Sequence, residues 1–272
     1  MIRQDTHFLI QLLPGMLRLA PVHQQAGQQP DNLCGPYWAA MLLRSRGFAV
    51  SVEQVAERAG SVVLVGDPEL WLPSGATSRQ EDCASLPTTH SLADAGTSVQ
   101  GLMAAIEQFS ASAYCCIPLM ADWTADRVWQ IIRLCQAHPD WEAVPLCNLK
   151  TGQLWGSRLG VSEAISYLNG QLIQPTAADW DVGHFLVLAG MVRGQINSLI
   201  WVCDTYPLFG WQGYHLQSAV AIADALNRSD GYEGGILLFT AAYFQAAVEQ
   251  SVAAIGFQIA GWNNGSRDFS RR

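Results

Sequence analysis

Lysine is almost missing: Lys150 is the only one in 272 residues. Charged residues of every kind make up 14% of the chain, and 15 basic against 23 acidic side chains leave a net charge of −8. A nucleic-acid binder needs a basic stripe to displace counterions, so DNA, RNA and anionic membrane surfaces are not expected partners. The scarcity of charge accompanies 50% hydrophobic content, which excludes intrinsic disorder. No apolar run reaches the length of a membrane span. The greasy stretch 8–20 is broken by Pro14-Gly15 and lacks the basic flank and small-residue cleavage site of a secretory leader. Seven cysteines fall at irregular spacing, Cys115 and Cys116 side by side, with no CxxC pair. That argues against a disulfide framework or a zinc ribbon, and reduced thiols in a cytoplasmic protein are expected. His7, His23, His90, His138 and His215 show no ligand spacing, and no Walker or dinucleotide-binding glycine loop occurs. Neither a metal nor a cofactor is expected.

What is present reads as one α+β domain over residues 1–272. An apolar helical stripe starts at Cys34 and continues through Trp38, Met41 and Leu42, with Pro36 in the first turn, where no donor is lost. Ser51 and Gln54 have capping-box spacing and start a second helix. Residues 60–96 are punctuated by Gly66-Asp67-Pro68, Leu72-Pro73-Ser74-Gly75 and Leu86-Pro87, and are expected to be an irregular insertion. Helices are expected at 97–109, 124–137 and 217–227, and strands at 143–149, 184–192, 198–204 and 235–240. Helices first and strands later suggest a helical N-terminal half packed on an antiparallel sheet.

Three places carry chemistry together. Cys34 follows Gln28-Gln29-Pro30-Asp31-Asn32-Leu33 at a helix start, where the helix dipole and open N–H groups favour thiolate, the nucleophilic form. Seen alone, it is better explained as a small buried hydrophobe, the commoner fate of a lone cysteine. His184 heads the apolar strand Phe185-Leu186-Val187-Leu188, and Asp204 closes Leu199-Ile200-Trp201-Val202-Cys203; alone, these are a strand-end histidine and a turn former. The short connection Arg193-Gly194-Gln195-Ile196-Asn197 makes the two strands a hairpin. A turn centred near Gly194 sets His184 directly opposite Asp204, on one face, whereas a slip of one residue puts them on opposite faces. Nucleophile, base and orienting carboxylate then form a set, with the Cys34 N–H and the Gln28 amide as oxyanion donors. Trp38 and Trp180, close in sequence to these motifs, and Gly183 are the expected substrate-contacting residues.

A glutamine six residues before Cys34-Gly35, a later Gly183-His184-Phe185 strand and then a strand ending in Asp204 resemble papain-like cysteine peptidases, most of all the bacterial C39-like branch. The resemblance implies a papain-like fold, with Cys34 as nucleophile, His184 as base, Asp204 as orienter and Gln28 as oxyanion donor. Residue 205 is Thr where that branch typically has Pro, and the segments 60–96 and 150–180 have no obvious counterpart there. The run Asp31–Trp38, Gly96-Thr97-Ser98 and Gly183-His184-Phe185 also resemble bacterial Dieckmann cyclases of tetramate biosynthesis. That likeness implies release of a carrier-bound acyl chain by carbon–carbon ring closure.

The expected function is therefore a thiol-dependent acyl transfer, most simply a peptidase or amide hydrolase acting through an acyl-enzyme on Cys34. The alternatives are a Dieckmann-type cyclase and a catalytically inactive binding module of the same fold. The expected substrate is a peptide or an acyl thioester, the latter free or borne on a carrier protein. The acidic charge weighs against the carrier, since carrier proteins are themselves acidic. A cyclase also needs a dry, enclosed pocket, because water competes with ring closure; the apolar composition and a lid at 60–96 would suit it.

Overall fold

The computed structural model describes residues 8–83 and 85–267. Its strands are β1 (Leu9–Leu12), β2 (Val63–Leu64), β3 (Thr88–Thr89), β4 (Tyr114–Met120), β5 (Val144–Lys150), β6 (Gly183–Arg193), β7 (Ser198–Cys203), β8 (Tyr214–Gln217), β9 (Gly235–Ala241) and β10 (Gln258–Ile259). Its helices are α1 (Met16–Ala26), α2 (Cys34–Arg44), α3 (Val52–Arg58), α4 (Val99–Phe109), α5 (Ala125–Ala137), α6 (Val161–Leu168), α7 (Ala219–Asn227) and α8 (Gln245–Ala254). The fold is α+β. One antiparallel sheet runs β10-β4-β9-β5-β6-β7-β8, and β1 adds to the far half of β6. Among the described residues no helix is long and apolar enough to cross a membrane.

Local signals set most boundaries. Ser51 caps α3 with a complete capping box, and Ser98, Thr124 and Ser218 each accept a backbone N–H at the start of α4, α5 and α7. The expected order of helices and then strands is not what forms. β1 opens the described chain and β4 lies between α4 and α5, while α6, α7 and α8 fall in the second half. β4 carries Pro118 inside it, a residue that ordinarily argues against an interior strand. The largest apolar cluster gathers residues from Leu13 to Trp262, with α2 against β6, α4 against β4 and α7 against β5.

The segment 60–96 is less irregular than expected. Its ends meet where Val62 and Gly96 exchange backbone hydrogen bonds of 3.1 and 2.8 Å. Inside, β2 and β3 pair in parallel, and Val63 and Leu86 pack on Leu33 and Ala56. Asp31, wholly buried, fastens the segment to the approach to α2. It accepts from Ser78 Oγ at 2.7 Å, Arg79 N at 2.8 Å and Trp71 Nε1 at 3.4 Å.

Candidate active site

Cys34 is half-buried at the N-terminus of α2. Leu33 N bonds to Pro30 O at 3.2 Å and Asn32 takes a left-handed conformation (φ 60°), so the chain turns sharply into the helix. Leu33 offers no side-chain cap, and Pro36 has no N–H. The open donors of the first turn are therefore the N–H groups of Cys34 and Gly35. Gly35 packs closely on the strand: a Cβ there would sit 3.3 Å from the Phe185 ring, which would have to give by a few tenths of an ångström. Trp38 Nε1 donates to Phe185 O at 3.1 Å, tying α2 to the strand residue that follows His184.

The β6–β7 hairpin positions the other two groups with a register different from the expected one. Near the turn Arg193 pairs with Ser198 and Gly190 with Trp201; farther on Leu188 pairs with Val202 and Val187 with Cys203, which leaves Ala189 as a bulge. Continued from the turn without it, the ladder would set Asp204 opposite Val187, on the face His184 does not share. β7 ends at Cys203; with the bulge, the ladder carried one residue further sets Asp204 opposite Leu186, diagonal to His184 and on the same face. Direct opposition of His184 and Asp204 is thus replaced by a diagonal contact, His184 Nε2 to Asp204 Oδ1 at 3.2 Å. Asp204 Oδ1 also accepts from Tyr206 N at 3.1 Å, and Asp204 N donates to Gly213 O at 2.7 Å.

Both partners are almost wholly buried. Burial disfavours the His184 imidazolium, but Asp204 and Cys34, each by charge and hydrogen bond, outweigh it and push the pKa up to about 10. Burial likewise opposes the Asp204 carboxylate, yet His184 holds its pKa below the ordinary value. With Nε2 committed to Asp204, Nδ1 is the ring nitrogen left for the Cys34 sulfur. The Trp180 ring lies edge-on to His184 (centroids 4.9 Å apart) and covers this pair. Its indole donates to Trp71 O at 3.0 Å, so the insertion holds the cover in place.

Cys34 and His184 open on a cleft of about 420 Å³ that Trp180 and Gly183 also line. Trp38 is absent from its wall: the ring has no exposed surface, so it supports α2 from the core instead of touching a substrate. Gln28 is directed away as well, its amide donating to Thr77 O at 2.7 Å. The neighbouring Gln29 lines the cleft instead. Its Oε1 accepts from Thr205 Oγ1 at 2.5 Å and its backbone N donates to Thr205 O at 3.2 Å, which turns the amide donors toward the cleft. A proline at 205 would have no hydroxyl for this bond.

Sequence reasoning did not single out Lys150, Asp181, Arg228 and Asp230, which form an ionic wall of the same cleft. Lys150 Nζ lies 3.3 Å from Asp181 Oδ1, and Arg228 grips Asp230 through Nε at 3.0 Å and Nη2 at 2.7 Å. In sequence Lys150 had one signal, its uniqueness. Leu70 and Leu92 of the insertion border the cleft while largely exposed. Among the other described thiols, burial raises Cys115 to about 11 and Cys135 to about 12, and pushes Cys116, Cys147 and Cys203 up as well.

No curated protein matches the chain. Residues 13–263 match a family of unknown function, DUF6885, and the chain belongs to that family.

Proposed function

We propose that this protein is a thiol-dependent acyl-transfer enzyme of papain-like architecture, most simply a cysteine peptidase or amide hydrolase. The observation that carries the reading is the convergence of three groups. A half-buried cysteine at a helix N-terminus is hydrogen-bonded to a buried histidine that shares its cleft, and whose far nitrogen is held by a buried aspartate. In the reaction the Cys34 sulfur attacks the substrate carbonyl, and the carbonyl π pair moves onto oxygen. The Cys34 N–H and the Gln29 amide, in the role expected of Gln28, donate to that oxyanion. The C–N bond then breaks as the His184 imidazolium gives its Nδ1 proton to the leaving amine. Water, deprotonated by His184, attacks the thioester and releases the acid and the Cys34 thiolate. Asp204 holds the ring in the tautomer and orientation these transfers need.

The ionic wall of Lys150, Asp181, Arg228 and Asp230 favours water as the acceptor. Asp181 is largely exposed and Lys150 and Asp230 are partly so, which keeps that wall hydrated, whereas ring closure on a carbon nucleophile calls for a dry enclosure. The reading is tested by a short pulse of iodoacetamide at neutral pH followed by peptide mapping. Cys34 is expected to be labelled well ahead of Cys115, Cys116, Cys135, Cys147 and Cys203. Uniform, slow labelling of all six would contradict an activated nucleophile and leave the binding module.

A further inference from the structure

Two further histidines, His23 and His215, are buried near Asp204, and hydrogen bonding distinguishes them. Gln217 is wholly buried and its amide is fixed at both ends by one residue: Oε1 accepts from Trp155 N at 2.8 Å and Nε2 donates to Trp155 O at 2.8 Å. Flipping the amide would set N–H against N–H and oxygen against oxygen. The second Nε2 proton points to His215 Nδ1, 3.0 Å away. His215 Nδ1 must therefore accept, and the proton of the neutral ring sits on Nε2. That Nε2 lies 4.0 Å from Asp204 Oδ2, the carboxylate oxygen that His184 does not use.

His23 has the opposite arrangement. The single Tyr37 hydroxyl proton goes to Gly27 O at 2.9 Å, so Tyr37 accepts from His23 Nδ1 at 2.8 Å. His23 Nε2 is left without a proton and cannot donate to Asp204. At His215, burial lowers the pKa more than the nearby Asp204 and Asp179 raise it, with His184 lowering it further. Its action on Asp204 is that of an N–H dipole. A small pocket of about 20 Å³ beside the two groups is lined by Asp204, His215 and Ser157. It has room for one water, and the buried Ser157 Oγ has no protein partner.

We propose that His215 is a positioning residue for the Cys34–His184–Asp204 set: Gln217 fixes its Nε2–H tautomer, and that N–H, bridged by one water, holds Asp204 Oδ2 so that Oδ1 faces His184. The catalytic consequence rests on the acyl-transfer reading; the tautomer does not. Two measurements on the full chain test it. Imidazole ¹⁵N spectra at neutral pH, with His215 assigned by loss of its signals in H215Q, are expected to show a bare Nδ1 and a protonated Nε2. A protonated Nδ1 would overturn the proposal. Iodoacetamide labelling of Cys34 is expected to be about tenfold slower in H215L and to return to within about threefold of wild type in H215Q, whose amide restores a donor. A folded H215L labelled at the wild-type rate would also overturn it. If H215L fails to fold, the wild-type spectra and H215Q decide. If spectra and labelling follow expectation but acyl thioesters leave no adduct on the wild type, the acyl-transfer reading fails and the role of His215 at the thiol stands.

Discussion

Asp204 Oδ1 lies 3.2 Å from His184 Nε2 although the two residues are not opposite one another in the β6–β7 hairpin. Their contact is diagonal, and it depends on Ala189, the residue bulged between Leu188 and Gly190. The bulge restores the parity that the turn-side register would have broken.

Gly190 is where that device meets the rest of the fold. β1 runs alongside, and a Cβ at 190 would fall 2.2 Å from Gln11 O. Gly190→Ala is expected to destabilise the protein by about 1–3 kcal/mol, the usual cost of forcing an atom into a packed site. Urea unfolding checks this, and an unchanged midpoint would show that β1 yields freely.

The buried histidines give stability a defined pH dependence. His184 has a folded-state pKa of about 10 against an ordinary 6.5, so its contribution is full below 6.5 and is lost as pH rises toward 10. Between pH 6.5 and 9, below the ordinary cysteine value of 9.0, this decline is expected to flatten in His184→Ala. His23 works in the opposite sense, since burial holds it down at about 4. The unfolded chain takes up its proton first, so stability falls from pH 6.5 to about 4, and His23→Gln is expected to reduce that slope. Urea midpoints across the two windows read both arms.

The two adjacent glutamines are expected to separate cleanly. Gln29 lines the cleft with its donors free of Thr205, whereas Gln28 bonds to Thr77 O outside it. Gln29→Ala is expected to lower the acyl-transfer rate about 10²–10³-fold, the cost of removing one oxyanion donor. Gln28→Ala is expected to retain the rate. Equal losses would return the oxyanion role to Gln28.

Asp31 tests whether the insertion is held as the structure indicates. Its carboxylate accepts from Ser78, Arg79 and Trp71, each bond to a charged group contributing about 1.5–3 kcal/mol. Asp31→Ala is expected to speed limited proteolysis within 66–96 while fragments outside it persist. Unchanged cleavage would mean that β2, β3 and the Val62–Gly96 bridge hold the segment without it.

The start of α2, the strands carrying His184 and Asp204, and the capped helices were legible in sequence, because each is specified by neighbours a few residues away. The bulge was not: Leu188-Ala189-Gly190-Met191 reads as unbroken apolar strand, and β1, which covers Gly190, comes from far along the chain. β4 was not read, since its sheet partners β9 and β10 come from the far end of the chain. The cleft-facing glutamine was displaced by one residue, because its direction depends on the Thr205 hydroxyl, a partner 176 residues away. The ionic wall was invisible for a like reason: Lys150, Asp181, Arg228 and Asp230 are ordinary charges until β5, β6 and the end of α7 bring them to one cleft.

The most direct test of the account is intact-protein mass spectrometry after incubation with an activated acyl thioester, comparing wild type with Cys34→Ala. Acyl transfer through Cys34 predicts a single acyl adduct on the wild type, absent from Cys34→Ala, and its turnover by water to the free acid. An adduct that persists in water would favour an acceptor other than water, and neither adduct nor free acid from a panel of donors would contradict the acyl-enzyme altogether.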